Sequence, residues 1–244
     1  HSVEDLAADL GVSSRHLRRA IEDQIGVTPT ETFGRPPSEV RREHGNDHDE
    51  RRLSLLEPLL RRRPGLRLPG SVDLFEMATR GVIGQQISVK GAVTLMGRLV
   101  RRFGTPLGEQ GVGLLTHTFP TADTIATTPI EDLAAIGLPR KRAETLAHLA
   151  CAFASGRFNR PARDGASVVE ELTELPGIGD WTAQYLAMRA FHLPDAFPAG
   201  DLGVRKALGE LAPAAARRRA EAWRPWRSYA VIHLWAALSQ GELP

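Results

Sequence analysis

Residues Glu174–Leu186, ELPGIGDWTAQYL, interrupt one helical pattern and start another within a few positions. Pro176 closes the helix arriving through Glu170–Leu175, and Gly177 and Gly179 permit backbone angles that other residues avoid. A helix resumes at about Asp180, so the pattern is a helix-hairpin-helix. Bare glycines let an anion approach the backbone N–H groups, and the second helix adds its positive end. A DNA phosphate fits that description. A tight corner between two helices with no ligand fits it too.

Helical spacing extends on both sides of the hairpin. Leu53, Leu56, Leu59 and Leu60 keep it, and SVDLFEMATRGVIG (residues 71–84) places Leu74, Phe75, Ala78 and Val82 on one face behind a serine cap at Ser71. A further helix runs from Ser88 through Ala92, Met96, Leu99 and Phe103 to Gly104, and IEDLAAIGL and KRAETLAHLACAFASG follow. No alternating strand, fixed-period repeat or low-complexity tract interrupts them. The expected fold class is mainly α. About twenty residues past the hairpin, FPAGDLGVRKAL puts Asp201 at a helix start, where an N-cap is the plain role for an aspartate.

With 244 residues, 42% hydrophobic and 25% charged, the chain can bury a sizeable core in one or two domains. The start at His1 predicts a fragment. A single cysteine, Cys151, excludes a disulfide framework and any four-cysteine zinc or iron–sulfur site. No apolar run reads as a membrane span or secretory leader, so a cytoplasmic protein is expected. Net charge is only +2, yet basic residues gather at Arg61–Arg63, Arg140–Lys141–Arg142 and Arg217–Arg219, and the isoelectric point is about 9.0. Nucleic acid is the partner such clusters suit, although any one of them is equally a solvated helix face.

The first thirty residues form a separate unit. Val3, Leu6, Ala7 and Leu10 line one helix that stops at Gly11; Ser13 caps a second, with Leu17, Ile21 and Ile25 inward and Arg15, Arg18 and Arg19 elsewhere. Helix, glycine turn and basic helix follow helix-turn-helix logic. The text SVEDLAADLGVSSRHLRRAIEDQIGVTP resembles the first half of an AraC-type DNA-binding domain, and GRPPSEVRR resembles the end of one. Residues 31–52, of mixed charge with a proline pair, read as a linker in which the middle of that domain is missing.

From residue 53 to 244 the chain resembles the helix-hairpin-helix DNA glycosylase superfamily, and within it the AlkA-type branch, 3-methyladenine DNA glycosylase II. Five blocks carry the likeness in order: RGVIGQQIS, IGLPRKRAETLAHLA, LPGIGDWTAQY, GDLGVRKAL and WRPWRSYAVIHLW. The resemblance implies two helical subdomains flanking a cleft that receives a nucleotide flipped from double-stranded DNA containing alkylated bases. It assigns the catalytic carboxylate to Asp201. Breaking an N-glycosidic bond leaves positive charge on the sugar, which an anion stabilises directly or by orienting water, and a helix start favours negative charge. It assigns the walls of the base pocket to Trp181, Tyr185 and Trp235, since electron-rich rings attract a cationic base. Trp223 and Trp226 are left to the core.

The same resemblance makes Gln86, with Gln85 beside it, the wedge that enters the duplex, and lets Gly177 and Gly179 present N–H groups to phosphate, despite the opposing charge of Asp180. Arg140, Lys141 and Arg142 add backbone contacts, and the carbonyls of Thr173, Leu175 and Ile178 hold a monovalent cation. Trp181 stands where lyases of the superfamily carry a lysine, so no amine is there to form a Schiff base, and a monofunctional enzyme is expected. No cofactor is required, and a monomer associated with the bacterial nucleoid is expected. A second reading makes the chain a transcriptional regulator of the Ada/AraC type with a non-catalytic helical part.

Overall fold

The computed structural model describes residues 55–108, 115–158 and 165–242. The helix-turn-helix expected for residues 1–30 and the linker expected for 31–52 fall outside the described residues. Eleven α-helices are described: α1 Leu56–Arg62, α2 Leu74–Ile83, α3 Val89–Phe103, α4 Ala122–Thr127, α5 Ile130–Ala135, α6 Arg140–Ala154, α7 Gly165–Thr173, α8 Asp180–Arg189, α9 Leu202–Ala207, α10 Pro213–Ala220 and α11 Arg227–Ser239. Among the described residues the only β-pairing is a single bridge between Pro106 and His117.

Local chemistry starts and stops these helices. Ser88 caps α3 by accepting from the Gly91 N–H, and Gly104 ends it. The cap of α2 is not Ser71, as its sequence suggests, but Asp73, whose carboxylate accepts from the Glu76 N–H at 2.6 Å. Asp73 has the correct three-residue offset from an orphan helical N–H, whereas Ser71 stands two positions too early. The Ser71 N–H instead donates to His192 Nε2 at 2.9 Å. Pro213 opens α10 at a first-turn position where a missing N–H costs nothing.

Two apolar clusters form the core. One gathers α2 to α7 around Phe75, Leu99, Leu133, Leu146 and Leu172; the other gathers α1 and α9 to α11 around Leu56, Phe197, Val204, Trp223 and Leu234. Helix α8 belongs to both. Its Ala183 and Leu186 pack into the first cluster and its Ala187 and Met188 into the second, with Tyr185 against each. Gly81 in α2 makes room for α8, for a Cβ there would lie 2.5 Å from Leu186 Cδ2. The hairpin joining α7 to α8 therefore emerges on the seam between the two halves of the core.

Candidate functional site

The two hairpin glycines have different reasons to be glycine. Gly177 has φ +85°, a left-handed angle, and a Cβ there would lie 1.8 Å from Thr145 Oγ1 of α6, so fold geometry alone demands it. Gly179 has φ −89° and ψ 174°, extended backbone open to any residue, so of the two glycines only Gly177 uses the conformational freedom that glycine permits. Nothing lies within 4 Å of a Cβ built at Gly179, so the space beside it is open to a partner. Ile178 is buried, and its N–H donates to the Leu175 carbonyl at 3.1 Å within the turn. Asp180, the first residue of α8, is paired with Arg217 of α10, whose Nη2 is 2.8 Å from Asp180 Oδ2. Arg217 thus balances the carboxylate beside the glycines.

Asp201 caps α9 by accepting from the Val204 N–H through Oδ1 at 2.8 Å. That same oxygen accepts from Trp235 Nε1 at 2.8 Å, while Oδ2 accepts from Trp181 Nε1 at 3.3 Å. The two indoles come from α11 and α8, so three helices converge on one half-buried carboxylate. Trp181 and Tyr185, one helical turn apart, stack with centroids 5.5 Å apart and planes 21° from parallel. Tyr185 and Trp235 follow at 6.4 Å and 42°. All three rings are half-buried. Gly203 keeps this corner open, because a Cβ there would sit 3.0 Å from Trp235 Cδ1 and 3.2 Å from Asp201 Oδ1. Trp223 is buried and Trp226 half-buried against Tyr229, both in the second cluster.

The segment leading to Asp201 is tied down by groups that the sequence does not single out. Ser228, fully buried at the start of α11, accepts from the Ala196 N–H at 3.0 Å and donates to the Leu193 carbonyl at 2.6 Å. Arg227 grips Asp195 through Nε at 2.8 Å, and Gln184 of α8 accepts from the Phe197 N–H at 2.9 Å. Ser228 and Arg227 lie in the WRPWRSYAVIHLW block and Asp195 and Gln184 outside it, and no motif marks any of the four in these roles. Elsewhere on α11, against α1, burial, with nearby Arg63 adding to it, pushes the pKa of His233 down to about 4, so it is neutral at physiological pH.

Gln86 is exposed with φ 53°, an unusual angle for a residue with a side chain. Gln85, expected beside it as a DNA contact, turns inward: its Nε2 donates to Thr182 Oγ1 at 2.8 Å and lies 3.4 Å from the Gly177 carbonyl. The side chains of the Arg140–Lys141–Arg142 run have three different surroundings. Arg140 is ion-paired with Glu131 at 3.0 Å and Glu144 at 3.1 Å, and Arg142 Nη2 donates to the Gln85 carbonyl at 2.6 Å. Lys141 is exposed. Neighbouring residues on a helix point about 100° apart, which is why three adjacent cations reach three different surroundings. Thr173 is exposed and donates through its hydroxyl to the Glu170 carbonyl at 2.8 Å. Among the described residues, no group of three or more His, Cys, Asp or Glu could hold a metal ion, and no helix is long and apolar enough to cross a membrane.

Comparison with known proteins agrees with this layout. The family model described as HhH-GPD superfamily base excision DNA repair protein matches residues 79–227. The chain is similar to DNA-3-methyladenine glycosylase 2 of Escherichia coli, 40% identical over 174 residues that make up 71% of this chain and 61% of that protein. It is also 41% identical over 188 residues to a Mycobacterium tuberculosis protein named "Probable bifunctional transcriptional activator/DNA repair enzyme AlkA", covering 75% of this chain and 37% of that one. The chain therefore spans less than two thirds of the length of these relatives. Among solved structures, 3-methyladenine DNA-glycosylase from Archaeoglobus fulgidus superposes with a TM-score of 0.67 at 26% identity, over 91% of this chain and 74% of that one.

Proposed function

The chain belongs to the HhH-GPD superfamily of base excision DNA repair proteins, and on that premise we propose that it is a monofunctional DNA glycosylase that releases alkylated purines from double-stranded DNA by hydrolysing the N-glycosidic bond. The observation that carries this reading is the Asp201 carboxylate, held by the N–H groups of two of the three rings that form the slot beside it. A carboxylate so placed stays fixed while positive charge grows on the sugar, and costs no reorganisation at that moment. Oδ1 has two donors at 2.8 Å and Oδ2 one at 3.3 Å, so Oδ2 keeps more capacity for the reacting centre. The stacked Trp181 and Tyr185 give a cationic base an electron-rich surface, worth about 0.5–2 kcal/mol per contact.

Around that centre, Gly179 offers open backbone to a phosphate, and Gln86 enters the duplex where the base leaves. Trp181 supplies no amine for a covalent intermediate, which supports hydrolysis without strand cleavage. The carbonyls of Thr173, Leu175 and Ile178 hold a monovalent cation in this reading, the protein works as a monomer on the bacterial nucleoid, and residues 1–30 are part of an AraC-type helix-turn-helix. The test is direct. Incubated with methylated duplex DNA, the protein is expected to release free alkylated purines, detected by chromatography, and to leave sites that break only after alkali. Breaks without alkali would mean a lyase, and tight binding without free base would mean a non-catalytic DNA-binding protein.

A further inference from the structure

We propose that Arg142 and Gln85 are positioning residues: they fix the exposed Gln86 relative to the phosphate-facing hairpin, so that gripping the backbone and opening the duplex occur in register. The inference rests on the glycosylase reading and deepens it. A residue with a side chain at φ 53° persists only where its surroundings hold it. Here the Arg142 guanidinium donates at 2.6 Å to the Gln85 carbonyl, part of the peptide unit that enters Gln86. The Gln85 side chain faces the other way and donates to Thr182 Oγ1 at 2.8 Å, in the first turn of α8 beside Trp181, with the Gly177 carbonyl 3.4 Å away.

Helix α6 closes the figure. One turn beyond Lys141 and Arg142, Thr145 fills the space where Gly177 lacks a Cβ, and its hydroxyl donates to the Lys141 carbonyl at 2.9 Å. The α6 start therefore touches the Gln85–Gln86 turn through Arg142 and the hairpin through Thr145, while Thr182 links that turn to the helix bearing Trp181. Pushing Gln86 against a duplex loads this frame rather than a free loop. The half-buried guanidinium of Arg142 is directed at a carbonyl and not at solvent, unlike the exposed Lys141 next to it. Gln85 is likewise engaged on both its main chain and its side chain. Their chemistry is that of a brace, not of a phosphate contact.

The test uses the full chain and three variants: Arg142→Met, Arg142→Lys and Gln85→Glu, the last replacing a donor with an acceptor of equal size. Base release from methylated duplex is measured under single-turnover conditions. In parallel, the fluorescence of 2-aminopurine opposite a tetrahydrofuran abasic-site analogue reports unstacking when a side chain enters the helix. Arg142→Met is expected to slow release roughly tenfold to a hundredfold, as misplacements of about 1 Å do, and to abolish the fluorescence rise. Gln85→Glu should do the same more weakly, and Arg142→Lys should recover most of both signals. The salt dependence of binding to undamaged duplex should match the wild type, and the melting temperature should fall by only a few degrees.

A salt slope shallower by about one charge in Arg142→Met would make it a phosphate contact and overturn the proposal. Wild-type release and fluorescence in Arg142→Met and Gln85→Glu would overturn it too, as would slowed release in Arg142→Met with the fluorescence rise of the wild type. A wild-type protein that unstacks 2-aminopurine but releases no base would remove the glycosylase reading and leave the brace intact.

Discussion

The molecule contains two chains of aromatic rings with similar spacing and opposite uses. In the first half of the core, Phe119, Phe75, Phe153, Phe158 and Phe191 touch in sequence with centroids 4.9 to 6.0 Å apart. On the seam, Trp181, Tyr185 and Trp235 follow one another at 5.5 and 6.4 Å. The phenylalanines have only C–H edges and contribute apolar burial and ring–ring contact. The indoles have an N–H each, and both are directed at one carboxylate. Number and spacing of rings do not distinguish the candidate site; a polar edge aimed at a shared acceptor does.

If that distinction is right, the two sets respond to mutation in separate currencies. The largest effect is expected at the acceptor itself. Asp201→Asn keeps an oxygen for Val204 and Trp235 but removes the charge, and base release should fall by roughly 10³-fold, the scale of losing a preorganised electrostatic group. Single-turnover chromatography measures it, with the melting temperature as control. Retained excision near the wild-type rate would take the carboxylate out of the chemistry. Next comes Phe158→Ala, in the apolar chain. Removing a buried ring that touches Phe153 and Phe191 should cost about 3–5 kcal/mol of stability in urea denaturation. Excision per folded molecule should not change, and a specific loss of rate there would blur the comparison.

Trp235→Phe tests the boundary between the sets, because it keeps a ring and deletes the N–H. Asp201 Oδ1 would keep the Val204 N–H alone, and release should slow about tenfold, equivalent to about 1.4 kcal/mol. A rate unchanged in Trp235→Phe, with a large loss in Trp235→Ala, would mean that the ring matters as a wall only.

Much of this was legible in the sequence because it is local. Asp201 caps its helix three residues from its N–H partner, Trp181 and Tyr185 are one turn apart, and the proline and glycines of the hairpin act within a few bonds. Asp73 was also within local reach, but Ser71 drew the cap assignment because the apolar period there fixes a face and not a first residue. What the text withheld is relational. Arg142 reads as part of a basic run until α6 is placed against the Gln85 carbonyl, 57 residues away in sequence. Ser228 has no motif; its importance comes from a crossing that brings the Leu193–Ala196 backbone to it. Gly177 and Gly179 look alike in the text, and only the backbone angles and Thr145 separate the one the fold needs from the one a partner can use. Helical periodicity gives the direction of a face but not which element it meets.

The Asp180–Arg217 pair, 37 residues apart, is the relational feature with the smallest expected effect and the most specific sign. Both side chains are about half exposed, so the pair adds little stability, on the order of 0–1 kcal/mol. Its consequence lies in the field at the hairpin. On the proposed function, the Asp180 carboxylate would repel a phosphate approaching Gly179, and Arg217, 2.8 Å from it, would cancel that repulsion while its own positive charge is engaged. Asp180→Asn should leave the melting temperature within about 2 °C and raise affinity for undamaged duplex about twofold to fivefold, with a salt slope steeper by up to about one charge. Arg217→Gln should do the reverse, leaving the carboxylate unopposed. In the Arg217→Gln background, Asp180→Asn should still relieve repulsion but should no longer steepen the slope, since no guanidinium is released. Weaker binding by Asp180→Asn alone would show instead that the carboxylate is what holds Arg217 where a phosphate meets it, and would make Asp180 a support of the hairpin rather than a brake on it.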